Sequence, residues 1–143
     1  MGERLSRSAT DTTTVGVRVP ARLDQLIMVR ALAETISLIA DFALDEVTDI
    51  RLALDEVATS LVLDAADDTE LECRFSYEPG RMRVRVTSVA ASDTVSAEAG
   101  FGYHILRTLT ESVRIERADH DRFTGGYPTV IEFCWARAAT DGR

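Results

Sequence analysis

Three polar side chains recur at four-residue steps within one apolar segment of the chain. They are Glu56, Ser60 and Asp64, in a stretch where apolar residues return every three or four positions. This period predicts an α-helix over about 46–65, and residues four apart on a helix share one face. Carboxylate and hydroxyl groups that line one cavity can exchange protons or hold an ion. The same residues also suit an ordinary solvated helix face, and the pattern alone leaves both interpretations open.

A second candidate is the pair of glycines at Gly100 and Gly102, which precede another helical pattern. Glycines at a helix N-terminus expose backbone N–H groups and leave room for a phosphate. Many helices begin after a glycine, so the signal is unspecific by itself. We expect Tyr103 to pack against the domain and His104 to face solvent or a partner.

Composition excludes several classes of protein. The formal net charge is -8, which disfavours direct binding to nucleic acid and favours a basic protein partner. All 16 basic residues are Arg, so no P-loop, protein-kinase or Schiff-base lysine is available. Cys73 and Cys134 lie in apolar strand-like runs and are predicted to be buried, reduced thiols. Neither they nor His104 and His120 show the spacing of a metal site.

The length of 143 residues suits one domain. We predict a disordered lead-in over 1–13, a folded domain over 14–137 and a disordered tail over 138–143. The polar, Ser/Thr-rich start lacks the apolar segment of a signal peptide, and no apolar run is long enough to span a membrane. The expected location is therefore the cytoplasm.

The hydrophobic periods along the chain predict, in order, a strand, two helices, two strands joined as a hairpin, a loop, a third helix and two further strands. The first helix, about 23–40, has an apolar stripe through Leu26, Val29, Ala33, Ile36 and Ala40, widened by Leu32 and Ile39. Asp45 is the expected N-cap of the second helix. Glu78-Pro79-Gly80-Arg81 has the residue order of a type II turn between two strands. Short turns between strands favour a mostly antiparallel sheet covered on one face by about three helices, an α+β two-layer sandwich.

This element order and three motifs resemble the histidine-kinase-like (GHKL) ATPases, the Bergerat fold. Within them the sequence is most similar to anti-sigma-factor serine kinases of the RsbW and SpoIIAB type, in the actinobacterial anti-sigma-F branch. The likeness covers about 15–136. It implies that Glu56 is the candidate general base, and that Ser60 stands where relatives use Asn to hold Mg²⁺. Asp64 lies where relatives often carry His, and Gly100-Phe101-Gly102 matches the glycine motif that enters a helix.

The likeness also implies ATP and Mg²⁺ as cofactors, but the adenine-binding motif is altered. Ser88 stands in place of the adenine-binding Asp, neither glycine of that motif is present, and the lid over 92–99 is short. If each lost contact is worth about 1–3 kcal/mol, the sum is large against the roughly 8 kcal/mol of micromolar binding. We therefore expect weak nucleotide binding or none. The predicted nucleotide-binding residues are Ser60, Asp64, Ser88, Gly100, Gly102 and Tyr103.

The resemblance implies an anti-sigma factor that sequesters an RNA polymerase sigma factor and is released by a STAS-type anti-anti-sigma antagonist. Arg30 corresponds to the arginine that contacts the sigma factor in the family, and relatives are usually homodimers. One alternative is an active ATP-dependent serine/threonine kinase that phosphorylates the antagonist. Another is a regulatory binding module without catalysis and without a sigma partner.

Overall fold

The computed structural model describes residues 12–93 and 103–137. In the second segment, side chains are described from residue 106 onward. The predicted lid from 94, Gly100, Gly102, the tail and nearly all of the lead-in lie outside these segments. A short 3-10 helix, Leu23–Gln25, precedes the first α-helix. In chain order the main elements are β1 (Thr13–Pro20), α1 (Leu26–Ile39), α2 (Leu44–Leu63), β2 (Glu70–Glu78), β3 (Arg81–Ala90), α3 (Tyr103–Leu109), β4 (Ser112–Arg117) and β5 (Tyr127–Ala136).

The five described strands form one fully antiparallel sheet in the order β1-β2-β3-β5-β4. Successive side chains of a strand point to opposite faces, so Leu71, Cys73 and Phe75 are buried on the same side. The other face is charged; Glu132, for example, lies 3.5 Å from Arg83 and 3.2 Å from Arg114. The helices cover only the apolar face, and the predicted α+β two-layer sandwich is confirmed.

The helices bury the stripes that their periodicity predicts. In α1 these are Leu26, Val29, Ala33 and Ile36, all at most 2% exposed. In α2 the buried set consists of Val47, Ile50, Ala53, Leu54, Val57, Ala58, Leu61 and Val62. Ile39 was predicted to widen the stripe of α1, but it is 62% exposed because it lies off that stripe in the last turn.

The start of α2 differs from the prediction. The helix begins at Leu44, so the N-cap is Ala43 and Asp45 belongs to the first turn. Glu46 supplies the cap instead, because its Oε1 accepts a hydrogen bond of 2.7 Å from the backbone N–H of Ala43. Carboxylates in a first turn also interact favourably with the helix dipole. The sequence thus placed the acidic helix start correctly but assigned the capping role to the wrong residue.

One end of the sandwich is closed by the hairpin between β2 and β3. Gly80 has φ +77°, as the third residue of the predicted type II turn requires. Its N–H donates to the carbonyl of Ala40 at 2.9 Å, and its carbonyl accepts from the N–H of Arg137 at 2.7 Å. The guanidinium of Arg137 lies 3.4 Å from the Asp41 carboxylate and 6.0 Å from the centre of the Phe42 ring. We name this end of the sandwich, around the turn between β2 and β3, the hairpin end.

Both cysteines are free thiols, on opposite faces of the sheet. Cys73 is buried beneath the helices, and this burial raises its thiol pKa to about 12. Cys134 is only partly buried, on the charged face. The prediction of a buried thiol is right for Cys73 and wrong for Cys134, because the alternation of β5 turns Cys134 away from the core.

Among the described residues, no helix combines the length and the apolarity needed to cross a membrane.

Candidate functional site

Helix α2 carries the first group of candidate residues. Glu56 and Ser60 lie within it, and Asp64 is its C-cap. At 3.6 residues per turn, each four-residue step drifts only about 40° round the helix. All three side chains are partly buried, and within the described segments none makes a hydrogen bond or an ion pair. The predicted shared flank is therefore present.

The orientation of this flank follows from its neighbours. Asp55 points towards α1, where its Oδ1 accepts a hydrogen bond of 2.7 Å from Nε of Arg30. Glu56 is about 100° further round α2, so its side chain turns away from α1. Helix α3 packs against α2 as well as against β4. Glu56 and Ser60 therefore lie along the side of α2 that is not covered by α1.

Helix α3, which follows the glycine motif in the sequence, packs beside α2. It starts at Tyr103, directly after Gly102, and its Leu106 is fully buried. The carboxylate helix and the glycine-preceded helix therefore pack together on one sheet, as the resemblance implies. Gly100 and Gly102 themselves, and the side chain of Tyr103, lie outside the described residues.

The inner face of the sheet contains a second polar group that begins at Ser88. Its side chain is 2% exposed, and its Oγ has no hydrogen-bond partner among the residues that the structure describes. Thr129 lies directly opposite on β5, and Arg117 lies opposite Thr129 on β4. The three residues therefore form one polar row across three strands, at the position that the resemblance assigns to the base of a nucleotide.

Arg117 ties this row to the segment that follows β3. Its Nε donates to Oγ1 of Thr129 at 2.9 Å, and its Nη1 lies 3.4 Å from the carbonyl oxygen of Ser92. Thr129 Oγ1 in turn donates to the carbonyl of Tyr127 at 3.0 Å. A guanidinium group carries only donors, so this corner presents donors where relatives are expected to present the acceptor oxygens of Asp.

Sequence reasoning missed Thr129 and Arg117. A signal was available for Thr129, because the inward positions of β5 are apolar at Trp135, Phe133 and Ile131 and then change to Thr. Arg117 gave no such signal. It closes a strand whose residues are all partly or fully exposed, so its inward role depends on the pairing with β5.

Three turns meet around this row, and we name the segments 64–69, 88–93 and 117–128 together the Ser88 end. Ala65 bridges Ala90, and the N–H of Ala91 donates to the carbonyl of Asp64 at 2.8 Å. Gly126 packs so closely that a Cβ there would lie 2.3 Å from the carbonyl oxygen of Ala90. Asp64 and Ser88 therefore share this end, while Glu56 lies about 12 Å further up α2.

Arg30 was predicted to be free to contact a partner. It is paired with Asp55 instead, and its side chain is 44% exposed. A second ion pair links the same two helices with the charges exchanged: Glu34 lies on α1 and Arg51 on α2, at 2.8 Å. Exposed pairs of this kind contribute about 0–1 kcal/mol each, so Asp55 orients Arg30 without removing it from the surface.

The described elements define a class of fold: an α+β two-layer sandwich with helices on one face of an antiparallel sheet, as the resemblance to histidine-kinase-like proteins implies. A crystal structure of the RsbU and RsbW domains of a Mycobacterium tuberculosis protein matches 90% of this chain and 35% of its own, with a TM-score of 0.63 at 17% identity. A chain of the crystal structure of the SiaB-SiaC complex from Pseudomonas aeruginosa matches over 93% of this chain and 96% of its own. Its TM-score is 0.67 at 9% identity. No family model matches the sequence.

Sequence comparison finds more specific relatives than the comparison of folds. The chain is 38% identical over 102 residues to anti-sigma-F factor RsbW of two Mycobacterium tuberculosis strains, CDC 1551 / Oshkosh and H37Rv. Over these residues the chain is similar to anti-sigma factors of the RsbW type. The match covers 70% of this chain and 60% of those relatives, so the chain spans less than two thirds of the length of the curated relatives it matches.

Proposed function

We propose that this protein is a cytoplasmic anti-sigma factor that sequesters an RNA polymerase sigma factor through the exposed side of α1. The observation that carries the proposal is that α1 is apolar on both sides. Beneath, it packs on the core; outside, it presents Leu23 just before the helix, and Ile27, Ala31 and Leu38 along it. Ile27 is 69% exposed. A helix that is apolar all round is normally covered, so a partner is the natural occupant of this side.

Arg30 lies at the border of this apolar side. It is about 60° round the helix from Ile27, between the apolar residues and the ion pair with Asp55. Arg is well suited to bidentate contact with a carboxylate, and arginines next to apolar side chains are frequent hot spots of interfaces. We propose that Arg30 binds an acidic side chain of the sigma factor, either in place of its ion pair with Asp55 or in addition to it.

A charge swap tests this role of Arg30. The Arg30→Asp/Asp55→Arg double variant keeps an ion pair between α1 and α2 but reverses the charge at the border of the apolar side. We expect it to bind the sigma factor at least 10-fold more weakly, since a broken charge contact at an interface costs about 2 kcal/mol or more. Affinity is measured by titration calorimetry with the host's sigma factors, each purified separately.

The second ion pair between the same helices supplies the control. The Glu34→Arg/Arg51→Glu variant reverses a pair of equal geometry and should bind normally if only the polarity at Arg30 matters. Normal binding by the Arg30/Asp55 swap would show that Arg30 acts only within the domain. Normal binding by Ile27→Glu, with wild-type thermal stability, would remove α1 from the interface altogether.

We further propose a STAS-type antagonist that releases the sigma factor, and a homodimer as the working form. The support is the 38% identity to anti-sigma-F factor RsbW, together with the likeness in fold to a chain of the SiaB-SiaC complex. Adding the purified antagonist should dissociate a preformed complex with the sigma factor, as seen by size-exclusion chromatography. Light scattering of the full chain at micromolar concentration should give twice the mass of 15.7 kDa.

The described residues fit ATP and Mg²⁺ poorly. Ser60 offers one hydroxyl, Asp64 adds a negative charge on the same flank, and the row at Ser88 presents Arg117 where an acceptor is needed. No group of three His, Cys, Asp or Glu within the described segments could hold a metal ion. We propose that the protein binds its partners without a nucleotide, and we derive no phosphoryl transfer.

One observation favours the alternative function, a serine/threonine kinase acting on the antagonist. Glu56 is partly buried and has no partner among the described residues, as a general base would. Incubation of the protein with labelled ATP, Mg²⁺ and the purified antagonist decides between the two functions. Phosphate transfer that Glu56→Ala abolishes and Glu111→Ala leaves intact would establish the kinase. Absence of heat on titration with millimolar ATP would support the proposal made above.

A further inference from the structure

The most exposed large apolar side chain among the described residues is Phe123, at 93%. It lies at the tip of the loop between β4 and β5, within the Ser88 end and far from the hairpin end. Removing a benzyl group from water is strongly favourable. An aromatic side chain held out in solvent is therefore a candidate anchor for another molecule, provided that its loop has a fixed shape.

Asp121 fixes the shape of this loop. Its Oδ1 accepts from the N–H of Phe123 at 2.9 Å, and its carbonyl accepts from the N–H of Gly125 at 2.9 Å and from the hydroxyl of Thr124 at 3.2 Å. Its own N–H donates to the carbonyl of Gly126 at 2.8 Å. One residue thus holds the whole tip, so little conformational entropy remains to be lost when Phe123 binds.

The loop is also anchored to the rest of the domain. His120 meets the ring of Tyr127 edge-on with centroids 5.2 Å apart, and Gly126 packs against the end of β3 and against Ala66, which follows α2. The tip cannot fold back to bury Phe123 without giving up these contacts. Exposure of Phe123 is thus a property of a rigid element.

The surroundings of Phe123 are acidic. The three segments of the Ser88 end contain only two arginines, Arg117 and Arg122, and Arg117 is directed inward to Thr129. Against these stand six carboxylates, at Asp64, Asp67, Asp68, Asp93, Asp119 and Asp121. A central aromatic side chain within a charged rim is the usual composition of a protein-binding surface. Charge complementarity requires a basic occupant.

We infer that the Ser88 end, with Phe123 as its anchor, docks onto a basic, DNA-binding face of the sigma factor. The inference rests on the proposed function and extends it. Any promoter-binding protein must present Arg and Lys to phosphates, and a rim of aspartates can occupy those side chains in place of DNA. Leu23 and Ile27 of the α1 side follow β1 at this same end of the sheet, so one sigma factor can reach both surfaces.

Titration of the purified sigma factor with the full-length chain tests the inference. Phe123→Ala should weaken binding about 30-fold, the loss typical of a hot-spot aromatic. The matched control is Leu44→Ala, which removes another highly exposed apolar side chain, at 76%, near the hairpin end; its affinity should equal that of the wild type. Both positions are exposed, so neither variant should unfold the domain.

Charge and salt give a second, independent readout. The triple variant Asp67→Asn/Asp93→Asn/Asp119→Asn should bind more weakly than the wild type. Its loss of affinity between 50 and 200 mM salt should be smaller than that of the wild type by about one logarithmic unit. Asp45→Asn is the control near the hairpin end. In addition, a promoter DNA duplex should compete with the wild-type chain for the sigma factor.

The outcomes separate this inference from the proposed function. Wild-type affinity in both Phe123→Ala and the triple variant, with binding lost in Ile27→Glu, would overturn the inference and leave the anti-sigma function standing. Loss of dimerisation in Phe123→Ala with unchanged affinity for the sigma factor would assign Phe123 to a second copy of the chain and also overturn it. Failure of the wild type to bind any sigma factor would overturn both.

Discussion

Replacing Gly126 by alanine should destabilise the whole Ser88 end. The added Cβ would lie 2.3 Å from the carbonyl oxygen of Ala90, 2.8 Å from Cγ1 of Val89 and 3.3 Å from Cβ of Ala66. The first contact is with backbone that cannot give way easily, because Ala90 pairs with both Ala65 and Tyr127. Either β3 or the loop must therefore move.

The magnitude follows from the cost of overpacking. Forced backbone shifts cost about 1–3 kcal/mol or more, and the backbone contact places Gly126→Ala at the upper end, near 3 kcal/mol by the same estimate. For a domain of this size, each kcal/mol lowers Tm by about 3 °C. We expect Tm to fall by about 10 °C on this scale, measured by circular dichroism at constant protein concentration.

Gly125→Ala is the matched control one residue earlier. Gly125 has φ +83° but open space around its Cβ position. Its variant therefore carries only the cost of a left-handed residue, about 1–2 kcal/mol. Gly126→Ala should thus be clearly the more destabilised of the two. Equal Tm values for both variants would refute the close packing of the loop on β3, and with it the rigidity attributed to Phe123.

Two further predictions concern buried polar groups. Ser88→Ala should leave the free energy of unfolding unchanged or raise it by about 1 kcal/mol in urea denaturation, because an unpaired buried hydroxyl costs about 1–3 kcal/mol; a clear loss would mean that Ser88 has a partner within the domain. Cys73 should resist alkylation at pH 8 while Cys134 reacts, since the pKa of Cys73 is raised from 9.0 to about 12. As the pH rises above 9, the Cys73 thiol ionises in the unfolded chain before it ionises in the folded protein. The free energy of unfolding of the wild type should therefore fall relative to that of Cys73→Ala, by up to about 1.4 kcal/mol per pH unit. An equal pH dependence of the free energy of unfolding in both proteins would contradict this.

Much of the fold could be predicted because it is encoded in local periods. The three-to-four spacing through Leu26, Val29 and Ala33 fixes one face of α1, and the alternation through Leu71, Cys73 and Phe75 fixes one face of β2. Boundaries were less accurate. Asp45 has the right chemistry for an N-cap, but the helix starts one residue before it, and nothing in the period distinguishes these two starts.

The contacts that were missed join residues distant in sequence. Arg30 and Asp55 are separated by 25 positions and meet only because α1 and α2 pack antiparallel with one particular register. Arg117 reaches Thr129 and Ser92 through the pairing of β4 with β5. In the sequence, Arg30 and Arg117 both look like ordinary surface arginines. The sequence does not specify which carboxylate or hydroxyl group each of them will contact in the folded chain.

The polar row at Ser88 is the feature that folding explains least. Along β3 the inward positions Met82, Val84 and Val86 are apolar, and a fourth apolar residue would extend the core without an unpaired hydroxyl. Thr129 interrupts the inward face of β5 in the same way, directly opposite Ser88. Two adjacent departures on neighbouring strands are not a packing requirement, and together they make up this polar row. In this chain Arg117 now occupies its edge, which is why we assign the function of the domain to its outer surfaces and not to this row.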